Sequence, residues 1–121
     1  MRIVVADDDL VCRDVVCQAL EQAGYRVETA SDGNGALRAL EREPADVLVL
    51  DLLMPNKDGI EVLLETRDRW PGLKIVVMSG GSTRSGAGVM LKTASVLGAD
   101  RVCEKAAGAG AILDAVRDVA A

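Results

Sequence analysis

At several points the chain sets a chemically active side chain directly after a run of aliphatic residues. Asp7, Asp8 and Asp9 follow Ile3 to Ala6, Asp51 follows Val47 to Leu50, and Ser79 follows Ile75 to Met78. Lys105 follows the weaker run Arg101 to Glu104. Two carboxylates about 4 Å apart repel by roughly 4 kcal/mol at an effective dielectric near 20, so a protein that gathers several must protonate one or bind a cation. The chain has no histidine, and its cysteines lie elsewhere. Oxygen-only donors select a hard ion, and a site with few protein carboxylates favours Mg²⁺, which keeps waters and shares phosphate oxygens, over Ca²⁺. Ser79 and Lys105 add a hydroxyl donor and a compact ammonium, a phosphate-binding layout. A nucleophilic Asp51, a metal to neutralise charge, and Ser79 with Lys105 to hold equatorial oxygens are the parts that phosphoryl transfer needs. On this reading Asp51 becomes an acyl phosphate.

The elements that must position these groups follow from periodicity. The runs at Ile3 to Ala6, Val47 to Leu50 and Ile75 to Met78 do not alternate, as expected of strands buried on both faces, and Arg26 to Ala30 and Arg101 to Glu104 are weaker strand candidates. Helical spacing links Val11, Val15, Ala19 and Leu20, then Ile60, Leu63 and Leu64, and finally Ile112, Ala115, Val116 and Val119. Gly24 can end the first helix, Pro44 precedes the third strand, and Pro71-Gly72 separates the third helix from the fourth strand. Strand and helix alternate five times, which predicts an α/β fold, (βα)5, with parallel strands, right-handed crossovers and helices on both faces of the sheet. Ligands in such doubly wound sandwiches bind beyond the carboxyl ends of the strands, where the acids lie. The segment Gly80-Gly81-Ser82-Thr83-Arg84-Ser85-Gly86-Ala87-Gly88 reads as a mobile loop. Gly33-Asn34-Gly35 lacks the spacing of either phosphate-binding glycine motif and reads as a loop leading into the second helix.

Composition narrows the function classes. A chain of 121 residues predicts one domain, 1–121, able to bury roughly two-thirds of its unfolded surface. The net charge is -5 and no Lys/Arg stripe is present, so direct nucleic-acid binding is not expected. No apolar run is long enough for a bilayer, and Cys12, Cys17 and Cys103 have no zinc-like spacing, which suits a reduced, cytoplasmic setting with the thiols as small buried hydrophobes. Any histidine chemistry must come from a partner. Asp9 is expected to cap the first helix, Asn56 to Gly59 to form a polar structural turn, and Lys57 and Lys74 to be surface charges.

The motifs Val5-Ala6-Asp7-Asp8-Asp9, Asp51-Leu52-Leu53-Met54-Pro55-Asn56-Lys57-Asp58-Gly59, Val77-Met78-Ser79-Gly80 and Glu104-Lys105 together resemble the receiver domains of bacterial response regulators, across essentially the whole chain. The resemblance implies a flavodoxin-like sheet in strand order 2-1-3-4-5. It also implies Asp51 as the phosphorylated aspartate, Asp7 and Asp8 as the acidic pair that holds Mg²⁺, and the Leu53 backbone carbonyl as a further metal ligand. Ser79 then matches the switch hydroxyl and Lys105 the phosphate-contacting lysine. The implied mechanism is transfer from the phosphohistidine of a sensor histidine kinase or histidine phosphotransfer protein onto Asp51. The fourth helix, fifth strand and fifth helix then present a changed surface to a downstream protein target or effector domain. Such a protein is a signalling phosphoacceptor that catalyses only its own phosphorylation and dephosphorylation, either standing alone or as part of a longer chain.

Three departures bear on the readout. Val102 stands where receivers commonly carry an aromatic residue, Ala106 stands where proline usually follows the lysine, and the glycine-rich loop is a few residues longer than usual. The Lys105-Ala106 bond is expected to be trans, because a cis bond before a residue other than proline costs about 2.5 to 4 kcal/mol. Leu53 and Gly81, at the positions that set the dephosphorylation rate, carry no polar side chain to orient water, so slow autodephosphorylation is expected. The rival readings are a pseudo-receiver that binds partners without phosphorylation, and an aspartyl-phosphate hydrolase. The latter usually needs a second acid at position 53, which is Leu.

Overall fold

The computed structural model describes residues 1–52, 54, 59–79, 92, 94–95 and 97–121. Five strands, β1 (Arg2–Ala6), β2 (Arg26–Ala30), β3 (Val47–Asp51), β4 (Lys74–Ser79) and β5 (Arg101–Glu104), alternate with helices α1 (Leu10–Gln22), α2 (Gly33–Arg42), α3 (Gly59–Arg69) and α4 (Ala109–Ala120). A single 3-10 turn, Lys105–Ala107, links β5 to α4. The predicted helix between β4 and β5 falls largely on residues outside those described, as does the whole Gly80 to Gly88 loop.

All pairings are parallel and the sheet order is β2-β1-β3-β4-β5, as the resemblance implies. Successive residues of a strand point to opposite faces, so each central strand feeds two cores. Val4, Leu48, Leu50, Ile75 and Val77 pack against α2 and α3 through Leu37, Leu40, Val62 and Leu63. Ile3, Val5, Val49, Val76 and Met78 pack against α1 and α4 through Val16, Leu20, Ile112 and Val116. The unalternating runs arise because both faces are dry. β2 and β5 are the edges, β2 half-buried and β5 largely exposed, which explains their weaker apolar signal. Arg2 is buried at the foot of β1, where its guanidinium bonds Glu28 and donates to the carbonyls of Glu43 and Ala39.

Several local expectations are corrected. On α1 the buried positions are Val16 and Leu20, whereas Val11 and Val15 are 71% and 49% exposed. Two stripes at four-residue spacing, Val11-Val15-Ala19 and Cys12-Val16-Leu20, run side by side, and packing against the sheet and α4 decides which one turns inward. On α3, Val62 and Leu63 are buried while Leu64 is exposed. Gly33-Asn34-Gly35 is the first turn of α2 and not a loop, because Asp32 caps the helix by accepting from the Gly35 amide at 2.7 Å. A Cβ on Gly35 would lie 3.2 Å from that same Asp32 oxygen, so the glycine suits the cap. Gly24 follows α1 with φ +96, as expected of a glycine that ends a helix. The described residues contain no cis peptide bond, so Lys105-Ala106 is trans. The three cysteines are free and half-buried.

Candidate functional site

The turn after β1 carries three acids into distinct roles. Asp7 is fully buried, its amide bonds the Ala30 carbonyl at 3.0 Å, and its Oδ1 accepts from the Asp9 amide at 2.9 Å. Asp8 is exposed. Asp9 caps α1, accepting from the amides of Val11 at 3.0 Å and Cys12 at 3.3 Å, the role expected of it. Asp51 ends β3 and is 2% exposed.

These elements bring Asp7, Asp8 and Asp51 together, with one carboxylate oxygen from each lying within 4.8 Å of the others. Lys105, carried by the turn after β5, reaches across the strand ends. Its Nζ lies 3.1 Å from Asp51 Oδ2, to which it donates, and 2.8 Å from Asp7 Oδ2. The second approach is an ion pair without the direction of a hydrogen bond, so the fully buried Asp7 Oδ2 has no directed donor among the described residues. Ser79 Oγ, at the end of β4 and also buried, has none either.

The charges shift one another. Burial alone would raise the Asp7 carboxyl, but the Lys105 ammonium, the neighbouring Cys12 thiol and the hydrogen bond from the Asp9 amide together more than reverse this and hold it below the ordinary carboxylate value. Burial would likewise lower Lys105, but Asp7 and Asp51 hold it well above its ordinary value. Cys12, on the α1 face beside Asp7, is pushed up to about 12, first by burial and then by that carboxylate, so it remains a thiol.

Counting only Asp7, Asp8, Asp51 and Lys105, the three carboxylates and one ammonium leave two net negative charges within a few ångströms. That deficit, the oxygen-only donors and the unclaimed Asp7 Oδ2 fit a hard divalent cation, and Mg²⁺ suits them. The Leu53 carbonyl lies outside the described residues.

Gly59 proves more demanding than a polar turn requires. It opens α3 with its amide donating to the Leu52 carbonyl at 2.9 Å, and a Cβ there would lie 2.5 Å from the Asp51 backbone oxygen and closer still to Leu52 Cα. The helix therefore sits directly on the backbone that carries Asp51, an approach only glycine permits. Gly59→Ala is expected to destabilise the fold by about 1 to 3 kcal/mol through this overlap, measured by urea unfolding.

Residues 3–117 match the sequence profile described as the response regulator receiver domain. The chain belongs to the response regulator receiver domain family. Among characterised receivers it is 42% identical over 79 residues to the response regulator MprA of Mycobacterium leprae, covering 65% of this chain and 35% of that one. To the receiver protein CpdR of Brucella abortus it is 39% identical over 79 residues, covering 65% of this chain and 66% of that one. It thus spans about a third of MprA and less than two-thirds of CpdR. The crystal structure of the receiver domain of NtrX from Brucella abortus superposes with a TM-score of 0.89 at 28% identity, covering 98% of this chain and 97% of that one. Vibrio cholerae CheY4 gives 0.85 at 25% identity, covering 98% and 97%.

Val102, at the position receivers commonly give to an aromatic, is 36% exposed on β5, and Ala106 is exposed in the 3-10 turn of this receiver. Sequence reading missed Arg13, whose guanidinium reaches back from α1 to the Asp7 carbonyl at 3.0 Å. The only available signal was its position one turn beyond the acids.

Proposed function

We propose that this receiver accepts a phosphoryl group on Asp51 from the phosphohistidine of a sensor kinase or histidine phosphotransfer protein, with Mg²⁺ as cofactor. The observation that carries the reading is the convergence of Asp7, Asp8 and Asp51 around the Lys105 ammonium, beside two buried oxygens, Asp7 Oδ2 and Ser79 Oγ, without directed partners. Asp7, Asp8 and Asp51, with the Leu53 carbonyl, would hold the metal. Bound there, Mg²⁺ supplies charge neutralisation at the phosphoryl oxygens.

An Asp51 carboxylate oxygen attacks phosphorus in line, the bond from phosphorus to the donor imidazole breaks, and the imidazole nitrogen leaves with the electron pair. Lys105, held cationic by its two acids, and the Ser79 hydroxyl then take the equatorial oxygens of the acyl phosphate. Recruitment of Ser79 pulls on the end of β4, and through the segment that follows it changes the surface offered to a downstream protein. The chain catalyses its own phosphorylation and its own slow dephosphorylation, not turnover of a free substrate. Leu53 and Gly81, on which the slow rate rests, lie outside the described residues.

Among the described residues no helix is long and apolar enough to cross a membrane. The proposed setting is cytoplasmic, with protein partners and no nucleic-acid contact by this chain.

The test is incubation of the chain with acetyl phosphate and Mg²⁺ followed by intact-mass measurement. One phosphoryl group should be gained, and EDTA should prevent it. A chain that stays unmodified with Mg²⁺ and a competent donor would instead be a phosphorylation-independent binding module.

A further inference from the structure

The placement of Asp8 poses a problem that the strand ends alone do not solve. Its carboxylate is exposed, and no hydrogen bond or ion pair holds its side chain among the described residues. Yet it stands with Asp7 and Asp51 inside one 4.8 Å cluster. Its aim must therefore come from the backbone.

That backbone is pinned in three places. The Asp7 amide bonds Ala30 O at 3.0 Å, the Asp9 amide bonds Asp7 Oδ1 at 2.9 Å, and Arg13 Nη1 bonds Asp7 O at 3.0 Å. The third bond differs from the others. The Asp7 carbonyl shares a rigid plane with the Asp8 nitrogen and Cα, so a donor that fixes this oxygen fixes the plane from which Asp8 departs. Arg13 is half-buried and forms no ion pair among the described residues, so the carbonyl is its one anchor. We propose that Arg13 is a positioning residue, locking the Asp7-Asp8 peptide plane so that the Asp8 carboxylate faces the Asp7-Asp51 pair. This inference rests on the reading that the cluster holds Mg²⁺.

Two effects of Arg13 on that metal oppose each other. As a nearby cation it repels Mg²⁺, and as an orienting donor it improves the ligand set. Residues that orient metal ligands typically change affinity by 10-fold or more when lost, whereas a partly solvated charge is screened. Orientation should win.

The experiment is calorimetric titration of the metal-free full chain with MgCl₂ alone, for wild type, Arg13→Met, Arg13→Lys, Asp8→Asn and the Arg13→Met/Asp8→Asn double variant, with circular dichroism to confirm folding. Arg13→Met should weaken Mg²⁺ binding roughly tenfold, and Arg13→Lys, which keeps charge and a donor but loses the planar fork, should fall between. In the Asp8→Asn background, removing Arg13 should change little, because the carboxylate it aims is gone. A folded Arg13→Met chain that binds Mg²⁺ as tightly as wild type or tighter would overturn the proposal, as would the same loss in both backgrounds. If Arg13→Met does not fold, the Arg13→Lys value is decisive, and wild-type affinity there overturns the proposal. Wild type that binds no Mg²⁺ while folded would overturn the metal reading itself and this inference with it.

Discussion

Asp51→Asn is expected to abolish the phosphoryl adduct while leaving the fold intact. Asparagine has nearly the same shape as aspartate, so the end of β3 and the contact with Gly59 should be kept. It presents a neutral amide in place of the carboxylate that attacks phosphorus. It also removes one of three like charges held within 4.8 Å, which relieves repulsion and offsets the loss of the Lys105 hydrogen bond at 3.1 Å. Stability should therefore move by no more than about 1 kcal/mol, whereas adduct formation with acetyl phosphate and Mg²⁺ should fall below detection by intact mass. An adduct that persists in a folded Asp51→Asn chain would move the acceptor elsewhere in the site, with Ser79 and Asp8 the nearest alternatives.

Lys105→Met should have the largest effect on stability. The ammonium serves Asp7 and Asp51 at once, at 2.8 Å and 3.1 Å, and both acids are buried. Breaking a buried pair by removing one partner costs about 3 to 5 kcal/mol, because the remaining charge is left uncompensated. Protonation of an acid will offset part of that, which gives the variant a distinct pH signature. In metal-free wild type the Asp7 carboxyl lies below its ordinary 3.8, so its contribution is present at neutral pH and is lost as pH falls through the folded-state value. Lys105 lies above its ordinary 10.5, so its contribution persists through neutral pH and is lost only as strongly alkaline pH passes its folded-state value. Without Lys105, burial dominates Asp7 and raises it, the native state then binds more protons than the unfolded one, and stability should rise on acidification from pH ~7 toward ~5. Wild type should not gain stability over that range. Urea unfolding in EDTA across pH checks both the magnitude and the opposite signs. Phosphorylation of Lys105→Met should also slow by roughly 100-fold or more, since an oriented charge on the transferring group is lost.

The fold was legible where both faces of a strand are dry. Ile3 to Ala6, Val47 to Leu50 and Ile75 to Met78 could scarcely be anything but central strands, and the chemistry-bearing residues after them could be listed without coordinates. Legibility failed where two residues compete for one role. Val11-Val15 and Cys12-Val16 have equal helical spacing, and only the packing of α1 against the sheet and α4 selects the second stripe. It failed again where the determinant is a close approach and not a side chain: Gly59 reads as turn punctuation in sequence, but the Asp51-Leu52 backbone excludes any Cβ there. Arg13 and Cys12 acquire their relation to Asp7 only after α1 folds back over the strand end. Lys105 could be placed at the end of the last strand from the sequence, but its simultaneous reach to Asp7 and Asp51 follows from parallel register, which sets Asp51 beside Met78 and Ser79 beside Glu104.

Whether Asp51 is the acceptor in a Mg²⁺-dependent site is read out by localising the phosphoryl group with tandem mass spectrometry of the treated wild-type chain. A single acyl phosphate on Asp51 is expected, formed with Mg²⁺ and absent in EDTA. A phosphoryl group found on Ser79 or any residue other than Asp51, or one that forms equally well in EDTA, would contradict it.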